Sequence, residues 1–100
     1  MLDQVKPDKN ITMYYVYVLI SLKKNNWFYV GFTNDLKTRF EKHNSKLVKS
    51  TKFYAPFKLI YYEAYSSEKD ARIREKNLKS HQQRDLLKER IKNSLNIKVM

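Results

Sequence analysis

The chain of 100 residues contains no cysteine, one glycine and two prolines. The absence of cysteine excludes a disulfide framework and any thiolate zinc site, and it fits a protein of the reducing cytoplasm. Two histidines, His43 and His81, are too few to build a structural zinc site. No apolar run approaches the roughly 18 residues that a membrane span needs. We therefore expect neither zinc nor a membrane as a partner.

Positive charge is what the chain has in excess. The net charge is +11, from 21 lysines and arginines against 10 aspartates and glutamates. The charges of residues 1–12 cancel, so the whole excess belongs to residues 13–100. A basic surface on a folded body is typical of proteins that bind phosphate backbones. A solubilising charge or attraction to an anionic membrane is the alternative, but the aromatic content favours nucleic acid.

The length allows one domain, with no room for a second core. Residues 1–12 are polar and are predicted to be a flexible lead-in or docking arm rather than a signal peptide. The domain itself is predicted to span residues 13–93, followed by a tail at 94–100.

Three segments have the composition of strands. Residues 13–21 alternate with a period of two, and residues 27–33 are rich in aromatic and β-branched side chains. The polar cluster at 23–26 between them predicts a hairpin, and residues 57–65 predict a third strand. Gly31, the only glycine, lies at the end of the second strand, where glycine permits a close approach or an unusual turn.

The first predicted helix follows the hairpin. Asn34 is a suitable N-cap, and the helix is expected to end near Asn44. Its buried side is predicted to carry Leu36, Phe40 and Leu47.

Two more helices are predicted after the third strand. Ser67, with Asp70 three residues later, resembles a capping box that opens a helix to about Ser80. A last helix is expected at residues 82–93, with Leu87 and Ile91 turned inward. The order β-β-α-β-α-α gives an α+β domain, a small sheet flanked by helices.

Glu75 falls on the apolar stripe of the second helix, with Ala71 and Leu78. A carboxylate there needs a partner, because an unpaired buried charge would take up a proton instead. It could form an ion pair with Arg74 or Lys79. It could equally be a ligand for Mg²⁺ or Mn²⁺, since these ions prefer oxygen ligands.

Arg39 and His43 lie four residues apart on the first helix and therefore share a face beside its apolar stripe. An arginine there can stabilise charge on a phosphate, and a histidine can accept a proton at neutral pH. Alternatively, Arg39 forms a surface ion pair with Asp35 or Glu41, and His43 interacts with the helix dipole.

Tyr17 and Tyr29 occupy the two strands of the hairpin. They share a face if the numbers of opposed residues sum to an even value, which the sequence does not fix. Lowering a phenol pKa from about 10 to 7 needs about 4 kcal/mol of local stabilisation. We therefore expect His43 to be the readier base, with a tyrosine positioning water, unless Arg39 and a metal-bound water supply that stabilisation.

These residues, in this order, resemble the GIY-YIG nuclease family, and in particular its small stand-alone branch, called YhbQ-like or UPF0213-like. The combined spacing is more specific than any one motif. The resemblance covers roughly residues 13–92 and is carried by Tyr15-Val16-Tyr17, Tyr29-Val30-Gly31, Gly31 to Leu36, Arg39, His43-Asn44, Lys49 to Lys52, Tyr61-Tyr62-Glu63 and Arg74 to Ser80.

The resemblance implies a three-stranded antiparallel sheet flanked by helices and hydrolysis of DNA with one divalent metal, Mg²⁺ or Mn²⁺, held by Glu75. It implies that Tyr17 and Tyr29 are the catalytic tyrosines and that Arg39 holds the scissile phosphate. His43 stands where relatives carry histidine or tyrosine.

The sequence departs from the family pattern at two places. Tyr15 stands where the first motif has glycine, although the family chemistry uses the last residue of that motif. Larger relatives also carry an asparagine after the metal-binding glutamate, and no residue here matches it, since the spacing of Asn93 is unsuitable.

The basic loop between the first helix and the third strand is the predicted contact for nucleic acid, through Lys46, Lys49, Ser50, Thr51 and Lys52. The leading prediction is thus a metal-dependent endonuclease that acts on double-stranded, nicked or branched DNA, as in repair or processing. A non-catalytic binding module, or a subunit that cuts only with a partner, is the alternative. No separate sequence-reading domain is evident, so weak sequence specificity is expected.

Overall fold

Three antiparallel strands lie at the centre of the structure, a computed structural model that describes residues 12–95. The predicted lead-in and C-terminal tail lie almost entirely outside the described residues. In chain order the elements are β1 (Tyr14–Ser21), β2 (Phe28–Thr33), α1 (Leu36–Asn44), a 3₁₀ turn (Lys52–Tyr54), β3 (Phe57–Tyr65), α2 (Glu68–Leu78), α3 (His81–Arg90) and α4 (Lys92–Leu95). The predicted α+β class and antiparallel sheet are confirmed.

β1 is the central strand, between β2 and β3. In the β1–β2 ladder Tyr17 opposes Gly31 and Leu19 opposes Tyr29, so opposed residue numbers sum to an even value. Side chains directly or diagonally opposed on such a ladder share a face. The register therefore meets the condition that the sequence left open and puts Tyr17 and Tyr29 on the same side of the sheet.

Both faces of β1 are buried, each against a different helical layer. One face packs under α2 and α3 in a core of Val16, Val18, Val30, Ala71, Leu78, Leu87 and Ile91. The other face packs with α1 in a core of Tyr15, Tyr17, Leu19, Leu36, Ala55 and Phe57. The predicted alternation along β1 is thus present, and both of its faces lose water contact, which is the main driving force for folding.

The caps of the first two helices follow from local chemistry. Asp35, not the predicted Asn34, caps α1, because its carboxylate accepts a hydrogen bond from the Thr38 amide at 3.2 Å. Ser67 caps α2 as predicted, and its hydroxyl oxygen accepts from the Asp70 amide at 3.2 Å. Each cap satisfies an amide that the first turn leaves without an intrahelical partner.

The prediction that Leu47 is buried is wrong. Lys46 adopts a left-handed backbone with φ of 64°, and the Leu47 amide bonds back to the carbonyl of Lys42 at 2.9 Å. This hydrogen bond and the left-handed residue end α1 in a Schellman motif. The chain reverses there, which leaves Leu47 outside the helical stripe and exposed.

The last predicted helix is in fact two. α3 ends at Arg90, Ile91 leaves helical geometry, and the short α4 follows. Leu87 and Ile91 are buried as predicted and close the core under α2. None of the helices between residues 12 and 95 has both the length and the apolar composition to cross a bilayer.

Glu63 on β3 connects the sheet to α2. Its carboxylate accepts two hydrogen bonds from Arg74, at 2.8 and 2.9 Å, and one each from the hydroxyls of Tyr61 and Tyr65 at 2.5 Å. Burial alone would raise the pKa of Glu63, but these donors outweigh it and hold the pKa below the ordinary value. The ion pair between Glu63 and Arg74 fixes α2 to the sheet at the residue directly before Glu75.

We expect Glu63→Gln to reduce the free energy of unfolding at pH 7 by about 2–3 kcal/mol, because it removes a charged acceptor of four hydrogen bonds. The folded pKa of Glu63 is lowered, so its stabilisation is present above the unfolded pKa and is lost as the pH falls through the folded value. The gap between wild type and variant should therefore narrow below pH ~4. Urea unfolding of both proteins at pH 7 and below pH ~4 measures this difference in unfolding free energy. A difference that does not change with pH would contradict the lowered pKa of Glu63.

Candidate active site

The ring of Tyr17 lies across the backbone of Gly31, its partner on β2. A Cβ atom at position 31 would come within 2.8 Å of Cε1 of Tyr17, and closer still to Cζ and the hydroxyl oxygen. Real Cβ contacts are not that short, so only glycine fits. The glycine is thus required for a close approach rather than for a turn, since its φ is not positive.

Tyr17 continues into a buried hydrogen-bonded chain. Its hydroxyl lies 2.7 Å from Nε2 of His43, and Nδ1 of His43 lies 2.8 Å from the hydroxyl of Thr51. The Thr51 hydroxyl donates to the Val48 carbonyl at 3.5 Å, so it accepts from His43 Nδ1–H. We assign the tautomer from this network: Nε2 carries no proton and accepts the hydrogen bond of the Tyr17 hydroxyl.

The pKa values of this pair move apart. Burial raises the pKa of Tyr17 to about 12, although Arg39 acts to lower it. Burial, with help from the charge of Arg39, lowers the pKa of His43 to about 4. Both shifts oppose transfer of the phenol proton to the imidazole. Tyr17 and His43 therefore form a neutral hydrogen-bonded pair in the resting protein.

Arg39, on α1, lies near both phenols. Its interaction with the Tyr17 phenol raises the pKa of Arg39 more than burial lowers it, and Tyr29 contributes in the same direction. Its Nε atom is buried and has no hydrogen-bond partner within residues 12–95. The surface ion pair with Asp35 or Glu41 does not form in the described part of the chain. A guanidinium nitrogen buried without an acceptor is a natural place for an anionic ligand.

Tyr29 is the partly exposed phenol of the pair. Its ring lies 6.2 Å from that of Tyr17 and 5.2 Å from that of His43. On its other side it stacks parallel to Trp27 at 6.0 Å. Aromatic contacts on both sides hold the ring in place while its edge remains accessible to solvent.

Glu75 lies on α2, in the other helical layer. Its negative charge makes a small contribution to raising the pKa of Tyr17, so the electrostatic field of Glu75 extends to the group that Arg39 also influences. Its carboxylate pairs with Lys79 at 3.1 Å, and the side chains are 20% and 54% exposed. One of the two predicted ion pairs is therefore present, while Arg74 bonds Glu63 instead.

The two half-buried carboxylates differ in what they can still bind. Glu63 is saturated by four donors, whereas Glu75 holds one exposed lysine that can swing away. Glu75 therefore fits a hard divalent cation that keeps most of its waters. No cluster of three acidic or histidine ligands exists among the described residues, so a fully protein-ligated ion has no site there.

Four residues of the predicted contact loop are exposed: Lys46, Lys49, Ser50 and Lys52. Thr51 is not, because it is fully buried and bonds His43. The prediction that Thr51 contacts nucleic acid does not fit this burial. Its role as the partner of His43 had no signal in the sequence, because the seven residues between them follow no helical or strand period.

Comparison with known proteins assigns the fold to a family. Residues 13–91 match the GIY-YIG catalytic domain. The chain belongs to the GIY-YIG family. This family is a nuclease superfamily, so the resemblance drawn from the tyrosines, Arg39 and Glu75 is confirmed at the level of the family.

Curated GIY-YIG relatives carry the name UPF0213. The chain is similar to a UPF0213 protein of Staphylococcus haemolyticus, 37% identical over 73 residues that cover 72% of this chain and 89% of the relative. It is also similar to YazA of Bacillus subtilis, 39% identical over 55% of this chain and 56% of YazA, and to a UPF0213 protein of Streptococcus pyogenes, 41% identical over 57% and 61%. These last two matches span less than two thirds of the relatives. No solved structure gives a significant match.

Gly31→Ala should destabilise the protein by about 1–3 kcal/mol, because the added methyl group meets a buried ring that His43 holds in place. A loss of stability is diagnostic of the clash with the ring, since alanine otherwise stabilises a strand interior relative to glycine. In a Tyr17→Leu background the cost of Gly31→Ala should fall below about 0.5 kcal/mol. Thermal unfolding of the four proteins measures the coupling, and additive effects would show that the ring does not require the glycine.

His43 should make the protein sensitive to mild acid. Its folded pKa of about 4 lies below the unfolded value of about 6.5, so its neutral form stabilises the fold above pH 6.5 and this contribution is lost as the pH falls toward 4. Between pH 7 and 4.5 the loss from His43 should be about 2 kcal/mol. Denaturant unfolding of His43→Gln should lack that loss, while the control His81→Gln should keep it. Equal pH slopes in all three proteins would refute the assignment.

Proposed function

We propose that this chain is a metal-dependent DNA endonuclease that hydrolyses phosphodiester bonds with one Mg²⁺ or Mn²⁺ ion, with a preference for DNA structure over sequence. Membership of a nuclease superfamily supports the reaction class. The basic surface supports a phosphate backbone as the substrate. The chemistry is assigned below to Arg39, Tyr17, Tyr29, His43 and Glu75.

The observation that carries the proposal is the buried Nε of Arg39, which has no acceptor among the described residues and lies near the two phenols. A non-bridging phosphate oxygen supplies the missing acceptor with a charge-assisted hydrogen bond. The same cation stabilises the charge that gathers on the phosphate in the transition state. Arg39 is therefore the group that places the scissile phosphate.

Tyr17 directs the proton that must leave the attacking water. Its own proton points to Nε2 of His43, so its oxygen offers lone pairs on the side of Arg39. A water proton can pass to this oxygen as the phenol proton passes to His43, and no phenolate accumulates. His43, predicted to be the readier base, therefore receives the proton through Tyr17 and does not contact the water itself.

Substrate binding makes His43 a better proton acceptor. The charge of Arg39 is one of the two causes that lower the pKa of His43, after burial. A phosphate bound to Arg39 offsets that charge and raises the pKa of His43 toward its ordinary value. The base is thus activated when the phosphate is in place. Tyr29, with its accessible edge, positions the water.

Glu75 is the residue that would hold the metal ion, in exchange for Lys79. A divalent ion so bound supplies Lewis acidity and a more acidic water. The bidentate pair of Arg74 and Glu63 fixes the helix that carries it.

A non-catalytic nucleic-acid-binding module, or a subunit that cuts only with a partner, is the second candidate. The burial of Tyr17 and its pKa of about 12 favour it, because both oppose efficient removal of a proton. Binding through the exposed lysines needs neither Glu75 nor the phenols, so the two candidates separate experimentally.

Glu75→Gln should abolish Mg²⁺- or Mn²⁺-dependent cleavage of nicked, branched and plasmid DNA, with at least about a 10²-fold loss of rate, since metal binding needs the carboxylate charge. Binding of DNA should be unchanged. Glu68→Gln is the matched control, because Glu68 lies on the same helix and also pairs with a cation four residues away. Gel-based cleavage and fluorescence anisotropy measure the two properties.

Two outcomes would contradict the proposal. Wild-type protein that binds DNA but cuts none of these substrates in either metal would favour the binding module. Equal cleavage by Glu75→Gln and wild type would remove Glu75 from the chemistry.

A further inference from the structure

One aromatic side chain is exposed in a setting that the proposed chemistry does not use. Phe53, at the centre of the 3₁₀ turn, is 69% exposed. Its neighbour Tyr54 points the opposite way and stacks on Trp27 at 4.6 Å. A single exposed apolar residue is common on protein surfaces, so exposure alone has no functional meaning. Its anchoring, its charge environment and its position relative to the site distinguish Phe53.

The turn that carries Phe53 is tied to the β1–β2 hairpin by three hydrogen bonds. The Phe53 carbonyl accepts from Nζ of Lys23 at 3.1 Å, and the Tyr54 carbonyl accepts from the Ser21 hydroxyl at 2.5 Å. The Leu22 amide donates to the Pro56 carbonyl at 2.8 Å. A ring presented on an anchored turn loses little freedom when a ligand binds to it.

Two lysines lie next to Phe53. Nζ of Lys52 lies 5.3 Å from its ring centroid, and Lys23 bonds its carbonyl. The loop from 45 to 56 and the hairpin turn from 22 to 26 contain only lysines among their charged residues. An aromatic face among lysines is the combination with which proteins bind unpaired nucleotides, because the base stacks and the phosphates pair with the cations.

The turn that carries Phe53 is also linked to the proposed catalytic groups through stacked rings. Tyr29 stacks on Trp27 at 6.0 Å, and Trp27 stacks on Tyr54, the residue after Phe53. Two ring contacts therefore separate the accessible phenol from the turn. A strand whose phosphate lies at Arg39 can place a base a few nucleotides away on Phe53.

We propose that Phe53 is a stacking platform for an unpaired base, so that the protein binds nucleic acid at a single-stranded end, flap or gap rather than along intact duplex. The substrate class deepens the proposed nuclease function and rests on it, but the stacking itself requires no cleavage. Bases within a duplex are already stacked on both faces and cannot cover the ring.

The test measures binding without metal, so that no strand is cut. A fluorescein-labelled oligothymidylate and a blunt linear duplex without a loop are titrated with wild type, Phe53→Ala, Phe53→Tyr and the control Leu47→Ala, which removes an equally exposed apolar side chain. Phe53→Ala should weaken binding of the single strand by about 5- to 150-fold, the range for the loss of one stacked base. Its salt slope and duplex affinity should not change, because no cation is lost. Phe53→Tyr and Leu47→Ala should bind as wild type.

Trp27 gives an independent readout, because it is the only tryptophan and stacks beside the turn. Its fluorescence should be quenched by the oligothymidylate in wild type and less so in Phe53→Ala at equal occupancy. Equal losses for single strand and duplex, or no loss for either, would overturn the inference and leave the ring as a contact for an acidic protein. Wild-type protein that cuts none of the DNA substrates in either metal, with the Phe53 effect on binding intact, would remove the nuclease proposal and leave the stacking platform.

Discussion

The packing of the Tyr17 ring over Gly31 is the contact on which the rest of the site depends. It lets a large side chain pack against the backbone of β2 and brings its hydroxyl to His43 of α1, whose Nε2 accepts its hydrogen bond. Two further contacts depend on this position of the hydroxyl. Thr51 bonds the other nitrogen of His43 and fixes the imidazole tautomer. Arg39 lies near both phenols, and its Nε atom has no acceptor in the described part of the chain.

Charge and burial give the two carboxylates of this region different roles. Glu63 is enclosed by Arg74 and two tyrosines, and it joins sheet and helix. Glu75, one residue after Arg74, keeps a single exchangeable lysine. One of these two glutamates thus serves the structure, and the other keeps a carboxylate that can exchange its partner. The sequence alone could not assign these two roles, because both glutamates lie at half-buried positions. The difference arises because Arg74 bonds Glu63 on β3 and not Glu75, its neighbour on α2.

Most of the fold could be predicted from periodicity. The alternation along β1, the Ser67 cap and the inward pair of Leu87 and Ile91 are local patterns, and the structure contains them. Predictions failed where the chain changes direction. Leu47 has the spacing from Phe40 that a continued helix would bury, but the helix ends before it, at the left-handed Lys46. Thr51 belongs to the loop predicted to contact nucleic acid, but its hydroxyl bonds His43 and its side chain is buried, which no local pattern indicates.

The central strand divides its residues between two tasks in strict alternation. Its even-numbered side chains, Val16 and Val18, pack under α2 and α3, while its odd-numbered Tyr17 belongs to the site under α1. Neighbouring positions on one short segment can therefore vary under separate constraints, one set by packing and the other by chemistry. Exchange among aliphatic residues on the even side offers a way to tune thermal tolerance without altering the face that carries Tyr17.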